Sequence, residues 1–173
     1  MTDATLMRLD ESFSQWDALL DLIVASFAYM NDLIDPPSSA LALTPQSLKQ
    51  KAEVEIGYVA LEGEAMIGCI FCRPEDQCLY IGKLAVLPVA QGRGIGKQML
   101  TLAEEMARER SLPELRLETR IELTGNHAVF TTWGFRKTAE NSHPGFDRTT
   151  SIEMRKTLAS APAARGLAAD DRR

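Results

Sequence analysis

The residues from Gln91 to Gly96 read Gln-Gly-Arg-Gly-Ile-Gly and place three glycines just before an amphipathic helix. The apolar, β-prone run over 78–87 and then Pro88 precede them. The bare N–H groups of such a turn and the positive end of the helix dipole both attract an anion. The spacing therefore indicates a site for a phosphorylated ligand. The competing interpretation is a turn that binds nothing, but a turn needs only one glycine, and each further one costs backbone entropy.

Known phosphate-binding loops differ in their spacing, and two of them fit this chain poorly. The P-loop needs a glycine five residues before its Gly-Lys pair and Ser or Thr after the lysine, where this chain has Gln91 and Gln98. The dinucleotide fingerprint needs its third glycine where Lys97 stands. The pattern Gln/Arg-x-x-Gly-x-Gly/Ala fits without a gap from Gln91 through Gly94 to Gly96.

This last pattern resembles the acyl-coenzyme A pyrophosphate loop of the GNAT superfamily of N-acetyltransferases. The frame from Leu117-Glu118-Thr119 to Gly134-Phe135 also has the spacing of the family's second half. The resemblance covers residues 52–158 well and the first 50 residues only by the order of elements. It implies an α/β (α+β) GNAT fold. Its central mixed, mostly antiparallel sheet has six to seven strands, is splayed between the fourth and fifth, and is flanked by about four helices.

The elements that must position the turn follow from periodicity and capping signals. The pattern predicts strands over 4–9, 56–61, 65–72, 78–87, 115–121, 135–139 and 151–158. It predicts helices from a Ser12 or Ser14 cap to Met30, from a Thr44 cap to Val54, from Ile95 to Arg110, and over 124–133 with Gly134 as the C-terminal cap. Residues 1–158 are expected to form a single domain. The tail 159–173, which has almost no large apolar group, is expected to be disordered.

The resemblance implies acetyl-CoA as co-substrate and no metal. The pantetheine arm would lie along the fourth strand on main-chain hydrogen bonds, and the N–H of Val86 would polarise the thioester carbonyl. The turn amides would bind the pyrophosphate. The residues implied for coenzyme A binding are Leu84, Ala85, Val86, Gln91, Gly92, Arg93, Gly94, Ile95, Gly96, Lys97, Asn126 and Phe130.

The implied activity is direct transfer of an acetyl group to a primary amine of a small molecule or peptide in a ternary complex. At pH 7, forming the neutral alkylamine costs about 4–5 kcal/mol, whereas the departing thiolate needs about 2 kcal/mol of help at most. A general base is therefore the larger need. An acyl-CoA-binding or sensing module on the same fold stays open as the alternative, and a nucleotide-binding protein with an aberrant P-loop is a distant third.

Glu118 is the first candidate for the base, because the family resemblance implies that its strand flanks the thioester. The alternative is a purely structural ion pair of Glu118 with Arg116 or Arg120. Tyr80 is the second catalytic candidate, although an aromatic strand residue is more often packing. Phe130 stands where the family often has a tyrosine, so a phenol proton is missing there. Either the thiolate leaves unaided, or water or Tyr80 protonates it.

The family's asparagine at the start of the short helix is displaced here, because Leu123 takes its position and Asn126 lies one turn later. The amine acceptor is expected to contact residues that follow the first helix and the loop before the last strand. The candidates are Phe27, Tyr29, Asn31, Asp32, His143 and Asp147.

Composition excludes several classes of function. A net charge of −5 without a basic stripe argues against nucleic acid as a partner. Cys69, Cys72 and Cys78 form no second Cys-x-x-Cys pair, so zinc is not expected; Cys69 and Cys72 should point to opposite faces of one strand. The apolar run 16–30 is too short to span a bilayer, and no signal peptide is recognisable. A cytoplasmic protein is expected, with no membrane partner and with a homodimer through its terminal strands as one arrangement.

Overall fold

A computed structural model describes residues 4–159. Its seven strands are β1 (Thr5–Arg8), β2 (Ile56–Glu62), β3 (Ala65–Pro74), β4 (Cys78–Val86), β5 (Glu114–Arg120), β6 (Arg136–Asn141) and β7 (Ser151–Thr157). They form one sheet in the order β1-β2-β3-β4-β5-β7-β6, in which β4 and β5 are parallel and the other neighbours are antiparallel. The predicted mixed, mostly antiparallel sheet is confirmed.

Within the described part of the chain, four α-helices flank the sheet, namely α1 (Trp16–Phe27), α2 (Pro45–Val54), α3 (Ile95–Glu109) and α4 (Thr124–Thr132). Short 3-10 turns cover 28–30, 39–42 and 88–90. One core lies between the sheet and the apolar stripe of α3, which buries Met99 and Met106. A second core lies on the opposite face, where α1 and α2 bury Leu19 and Leu48. Burial of both sheet faces explains why the central strands read as nearly continuous apolar runs.

The sheet opens between β4 and β5. These strands pair only from Cys78 with Glu114 to Ile81 with Leu117. On the other side of β4, Ile81 lies opposite Cys72 and Lys83 lies opposite Phe71 of β3, so Gly82 is an extra, bulged residue. A bulge bends its strand and raises the local twist, which accounts for the divergence of β4 from β5. The predicted splay between the fourth and fifth strands is confirmed.

Two helix starts illustrate a correct and an incorrect cap prediction. At α2, the Thr44 hydroxyl accepts the Ser47 N–H at 3.0 Å, and the Ser47 hydroxyl accepts the Thr44 N–H at 2.9 Å. The predicted Thr44 cap is thus confirmed as a reciprocal capping box. The predicted Ser12 or Ser14 cap of α1 is wrong, because the helix begins at Trp16 without a side-chain cap. Ser12 instead donates to the Asp10 carboxylate from its N–H, at 2.9 Å, and its hydroxyl, at 2.6 Å.

The cysteines are free and buried. Cys69 and Cys72 belong to the cores on opposite faces of the sheet, as predicted, and burial raises the pKa of each thiol to about 12. Within residues 4–159, no cluster of three His, Cys, Asp or Glu side chains is arranged to hold a metal ion. Over the same residues, every helix is too short or too polar to cross a bilayer.

The chain ends and sheet edges bear on two further predictions. Apart from Ala159, the tail predicted to be disordered lies outside the described residues. The last strand, β7, pairs with both β5 and β6, so β1 and β6 are the edges of the described sheet. Pairing of chain copies through terminal strands stays a prediction, and β1 is the terminal strand with a free edge.

Candidate functional site

The glycine turn is built to leave backbone N–H groups open. Gly92 and Gly94 adopt φ angles of 79° and 84°, which strain any residue with a side chain. The first helical hydrogen bond of α3 runs from the Gln98 N–H to the Gly94 carbonyl at 2.9 Å. The N–H groups of residues 95–97 precede that bond, and Gly94 has no side chain that could cap them. The turn therefore presents amide donors and a helix N-terminus to an anion.

The open edge of β4 continues from this turn. The Leu87 N–H donates to the Ile67 carbonyl of the preceding β2–β3 hairpin at 2.9 Å. Because successive backbone groups of a strand point to opposite neighbours, those of Ala85 also face β3, and those of Leu84 and Val86 face the open edge. The Gln91 side chain donates to the Val86 carbonyl at 3.1 Å. This bond ties the turn to the end of β4 and leaves the Val86 N–H as a donor on the open edge.

A cleft of about 510 Å³ lies between the turn, the end of α1, the β4 edge and α4. Ten of the twelve residues predicted to bind the cofactor line it, namely Leu84, Val86, Gln91, Gly92, Gly94, Ile95, Gly96, Lys97, Asn126 and Phe130. Phe27 and Tyr29, predicted as acceptor residues, also line this cleft. The other lining residues, which no sequence pattern indicated, are Ser26, Ala90, Val129 and Trp133. The Trp133 ring lies 3.5 Å from where a Cβ on Gly96 would stand, so it packs over the start of α3.

Two residues predicted to bind the cofactor lie elsewhere. Ala85 is buried, pairs with Cys69 of β3 and does not line the cleft. The Arg93 guanidinium forms an ion pair with Glu62 at the end of β2 and also lies outside the cleft lining. Arg93 therefore anchors the turn to the β2–β3 hairpin in this arrangement.

A second cavity of about 180 Å³ occupies the gap between the diverging strands. Its lining includes Gly82 and Lys83 of β4 and Glu118, Thr119 and Arg120 of β5. The rest of the lining consists of Phe27, Met30, Ser38, Ile81, Leu84, Leu117, Leu123, Asn126 and Phe130. Phe27, Leu84, Asn126 and Phe130 line both cavities, so the two adjoin.

Glu118 forms the structural ion pair with Arg116, and its role as the general base stays a prediction. Glu118 lines the second cavity, and its carboxylate accepts a hydrogen bond from Arg116 at 3.1 Å. Its side chain is 37% exposed, whereas that of Arg116 is 14% exposed. A carboxylate at the surface of the cavity can exchange a proton with an incoming amine, and Arg116 orients it.

Tyr80, the other predicted catalytic residue, lies outside the lining of both cavities. Its ring lies 4.2 Å from the Arg116 guanidinium and 4.9 Å from that of Arg73. Burial raises the pKa of the Tyr80 phenol, and the nearby Glu118 carboxylate raises it further. The phenol is therefore protonated at neutral pH, and the ring packs between two cations.

Phe130 and Asn126 stand where the two cavities meet. The Phe130 ring packs edge-on against Trp133 and Phe135, with centroids 6.0 and 5.7 Å apart. The Asn126 amide donates to the Tyr29 hydroxyl at 3.4 Å and so links α4 to the segment after α1. This junction is apolar on the Phe130 side and polar on the Asn126 side.

The loops around the second cavity are tied together. The Arg120 guanidinium donates to the carbonyls of Pro36 and Pro37 at 2.6 and 3.0 Å. From the β6–β7 loop, Arg148 donates to the Asp35 carbonyl at 2.9 Å. The segment that contributes Ser38 to the cavity is thereby fixed against β5.

The remaining acceptor candidates do not line either cavity. Asn31, Asp32 and Asp147 are exposed. The His143 N–H donates to the Thr150 hydroxyl at 2.8 Å, and the His143 ring contacts the same hydroxyl. His143 therefore holds the start of the β6–β7 loop in this arrangement.

Comparison with known families decides the class of this chain. The model described as "Acetyltransferase (GNAT) family" matches residues 16–135. The chain belongs to the GNAT acetyltransferase family. It is also 29% identical over 91 residues to N-alpha-acetyltransferase 30 of Saccharomyces cerevisiae, across 47% of this chain and 52% of the yeast protein. The match thus spans about half the length of that curated relative.

Solved structures show the same GNAT fold. The PaiA N-acetyltransferase of Thermoplasma acidophilum, in complex with coenzyme A, superposes with a TM-score of 0.72 at 15% identity over 89% of this chain and 99% of its own. The ribosomal-protein-S18-alanine N-acetyltransferase of Escherichia coli gives 0.68 at 19% identity, over 91% and 96% of the two chains. An Elizabethkingia anophelis GNAT acetyltransferase with acetyl-CoA bound gives 0.65 at 22% identity, over 91% and 100%.

Gly82 and Lys83 of this GNAT protein line the second cavity and were not predicted as site residues. Each nevertheless departs from the apolar pattern of its strand. Gly82 interrupts an otherwise apolar strand, and a glycine inside a strand often marks a bulge. Lys83 places a charge in the middle of the same run. A charged residue between buried strand positions needs a partner or an opening to water, and here it faces the second cavity.

Proposed function

We propose that this chain is an N-acetyltransferase that moves the acetyl group of acetyl-CoA directly to a primary amine of a small molecule or peptide. The observation that carries the proposal is the adjacency of the two cavities. One opens on the amides of the glycine turn and the free edge of β4, and the other opens on the Glu118 carboxylate. A phosphorylated acyl donor and an amine can thus meet at the junction of the cavities.

The residues present fit acetyl-CoA, which supplies an activated acetyl thioester. The amides of residues 95–97 and the α3 N-terminus suit the pyrophosphate. The backbone groups of Leu84 and the N–H of Val86, which face the open edge of β4, suit an extended pantetheine arm, which can add to the sheet edge as a strand does. Gly92 has no atom within 4 Å of a Cβ position, which leaves space for close approach of a phosphate. The GNAT structures crystallised with coenzyme A or acetyl-CoA support this assignment.

Glu118 accepts the proton of the attacking amine in this proposal. The amine nitrogen forms the new C–N bond while the C–S bond breaks, and the sulfur leaves with the electron pair. The Val86 N–H, on the open edge of β4, donates to the carbonyl oxygen as negative charge develops there. Glu118 is the only carboxylate among the described residues that line the two cavities.

The position where the family often has a tyrosine supplies no general acid in this chain. Phe130 has no proton to donate, and Tyr80 lies outside the lining of the cavities. The departing thiolate therefore receives no proton from either residue. This feature favours a second candidate, an acyl-CoA-binding module with little turnover, which the same experiment distinguishes.

The test is release of free thiol from acetyl-CoA in the presence of a panel of polyamines, amino acids, aminoglycosides and peptides with free N-termini. We expect steady thiol release with at least one class and a loss of kcat of about 100-fold in Glu118→Gln at pH 7. Glu153→Gln is the matched control, because Glu153 lies 3.4 Å from the same Arg116 but outside both cavity linings. Tight acetyl-CoA binding without thiol release from any amine would instead establish the binding module.

The cytoplasm is the proposed location. The buried thiols of Cys69, Cys72 and Cys78 are free, as is usual in a reducing compartment.

A further inference from the structure

Lys83 is a cation in the second cavity for which residues 4–159 supply no ion-pair partner. The described lysines that form ion pairs are Lys51, Lys137 and Lys156. The Lys83 ammonium instead lies 5.9 Å from the centre of the Phe27 ring, and its side chain lines the cavity. A half-buried ammonium that lacks a carboxylate loses hydration without compensation.

The groups around Lys83 further disfavour its charged form. Burial lowers the pKa of the Lys83 ammonium, and the nearby positive charge of Lys51 lowers it further, while Glu55 acts weakly in the opposite direction. Glu55 is already engaged by Lys51 at 2.9 Å. An anionic group entering the cavity would therefore stabilise the charged form of Lys83.

The cavity offers opposite charges to the two ends of a small molecule. Lys83 is on β4 and the Glu118 carboxylate is on β5, across the gap between the strands. The other charged lining residue, Arg120, already donates to the carbonyls of Pro36 and Pro37. A simple alkylammonium acceptor would bring a second positive charge toward Lys83, whereas an acceptor that also carries an anionic group would neutralise it.

The size and lining of the second cavity restrict the acceptors that it can hold. A volume of about 180 Å³ lies below the 300–1,000 Å³ typical of drug-sized ligand sites. Much of the lining is apolar, including Met30, Leu123 and Phe130. The space thus suits a compact molecule with one apolar substituent.

We propose that the acceptor is a free α-amino acid or a similarly small amino carboxylate, with its carboxylate on Lys83 and its amino group beside Glu118. This inference rests on the proposed acetyltransferase function and names its substrate class. The ammonium proton passes to Glu118, and the neutral amino nitrogen then forms a C–N bond with the thioester carbonyl carbon as the C–S bond breaks. The sulfur leaves with the electron pair and takes the nitrogen's surplus proton through water, so the products are an N-acetylamino acid and coenzyme A. Lys83 acts as a specificity-determining residue and takes no part in the bond changes.

The test compares L-leucine, L-leucinamide and 3-methylbutylamine, and the corresponding L-methionine series, in the thiol-release assay. We expect the free acids to have kcat/KM values about 10- to 100-fold above those of the amides and amines, since the latter leave Lys83 unpaired. Lys83→Met should remove this preference, and Lys83→Arg should restore part of it. Lys49→Met, which removes an exposed lysine of α2 outside both cavity linings, is the matched control and should keep the preference.

A binding measurement separates this inference from the proposed function. Calorimetric titration of L-leucine and L-leucinamide into the protein saturated with coenzyme A reports carboxylate recognition without turnover. Faster turnover of amides or peptides than of free acids, or equal loss of both in Lys83→Met, overturns the amino acid assignment and leaves the acetyltransferase function intact. If no amine is turned over, the proposed acetyltransferase function is overturned. Carboxylate-dependent binding that Lys83→Met abolishes would then still support a carboxylate site at Lys83. A lack of such binding would overturn that site.

Discussion

At the scale of single residues, the junction of the two cavities is set by Phe130. Its ring lines both cavities and packs edge-on against Trp133 and Phe135. A benzyl side chain fills this position but offers no proton to a departing thiolate. Phe130 thus packs α4 but cannot protonate the leaving group, whereas a tyrosine at this position could do both.

Phe130→Tyr is expected to raise kcat by about three- to thirtyfold. The new phenol would lie where the cavities join, and protonating the departing thiolate is worth about 2 kcal/mol at most at pH 7. The measurement is kcat for thiol release with a saturating amine from the panel. Phe130→Leu is the control, because it alters the packing without adding a proton donor and should show no gain. An unchanged kcat in Phe130→Tyr would mean that the thiolate needs no acid in this protein.

At the scale of elements, the glycines of the turn between β4 and α3 differ in backbone conformation, because Gly94 has a positive φ and Gly96 does not. Gly94→Ala places a side chain at a φ of 84°, which costs about 1–2 kcal/mol of folding free energy. Relief of that strain would rotate the amides at the start of α3. We therefore expect at least a tenfold loss of acetyl-CoA affinity, measured by calorimetry, with a lower Tm.

Gly96→Ala is the matched change within the same turn. A Cβ at Gly96 would lie 3.5 Å from Trp133 and 3.8 Å from Val86, which are ordinary contact distances. Alanine also gains up to about 1 kcal/mol over glycine in a helix. Acetyl-CoA affinity should stay within about threefold of wild type and the Tm should not fall. Equal damage from both substitutions would show that space, and not backbone conformation, limits the turn.

Arg120 joins β5 to the segment before α2. Its hydrogen bonds to Pro36 and Pro37 fix the segment before α2 against β5. Arg120→Met should loosen that segment, raise the KM for the amine about three- to tenfold and leave the KM for acetyl-CoA unchanged, because the loop borders only the second cavity. Hydrogen exchange at 35–44 should speed up in parallel. A rise in both KM values would contradict this division between the cavities.

The same elements show what a single sequence can predict. The glycine turn, the Thr44 cap and the Gly134 cap depend on neighbours within a few residues, and the structure has each of them. The partner of Arg93 is 31 residues away in the chain, and no local pattern names Glu62. The direction of Lys83 depends on the bulge at Gly82, which only pairing with β3 reveals.

At the scale of the whole molecule, Arg116 connects both sides of the opening in the sheet. It donates to Glu75 of the β3–β4 connection at 3.0 and 3.1 Å, to Glu118 at 3.1 Å, and to Glu153 of β7 at 3.4 Å. The bidentate geometry with Glu75 is the stronger form of an arginine–carboxylate pair. The link holds β4 and β5 together just before they diverge, so the folding of the two halves and the position of Glu118 depend on the same guanidinium.

The Glu75 link predicts a pH dependence of stability. The hydrogen bonds from Arg116 lower the pKa of Glu75 to about 2 from an ordinary value of 4.5. The unfolded chain therefore binds more protons than the folded one between these values, and the free energy of unfolding rises with pH across this window. The contribution is fully present above pH 4.5 and is lost as the pH falls toward 2. Because Glu75 is partly exposed, it amounts to about 1 kcal/mol.

Glu75→Gln should remove this contribution, so that the difference from wild type is near zero at pH 2 and about 1 kcal/mol above pH 4.5. Urea unfolding at steps of pH from 2 to 6 measures it. Asp76→Asn, an exposed change of equal charge in the same turn, is the control and should follow the wild-type curve. If Glu75→Gln also follows that curve, the Arg116–Glu75 pair adds nothing measurable to stability, and the contact of Arg116 with the Tyr80 ring is what joins it to β4.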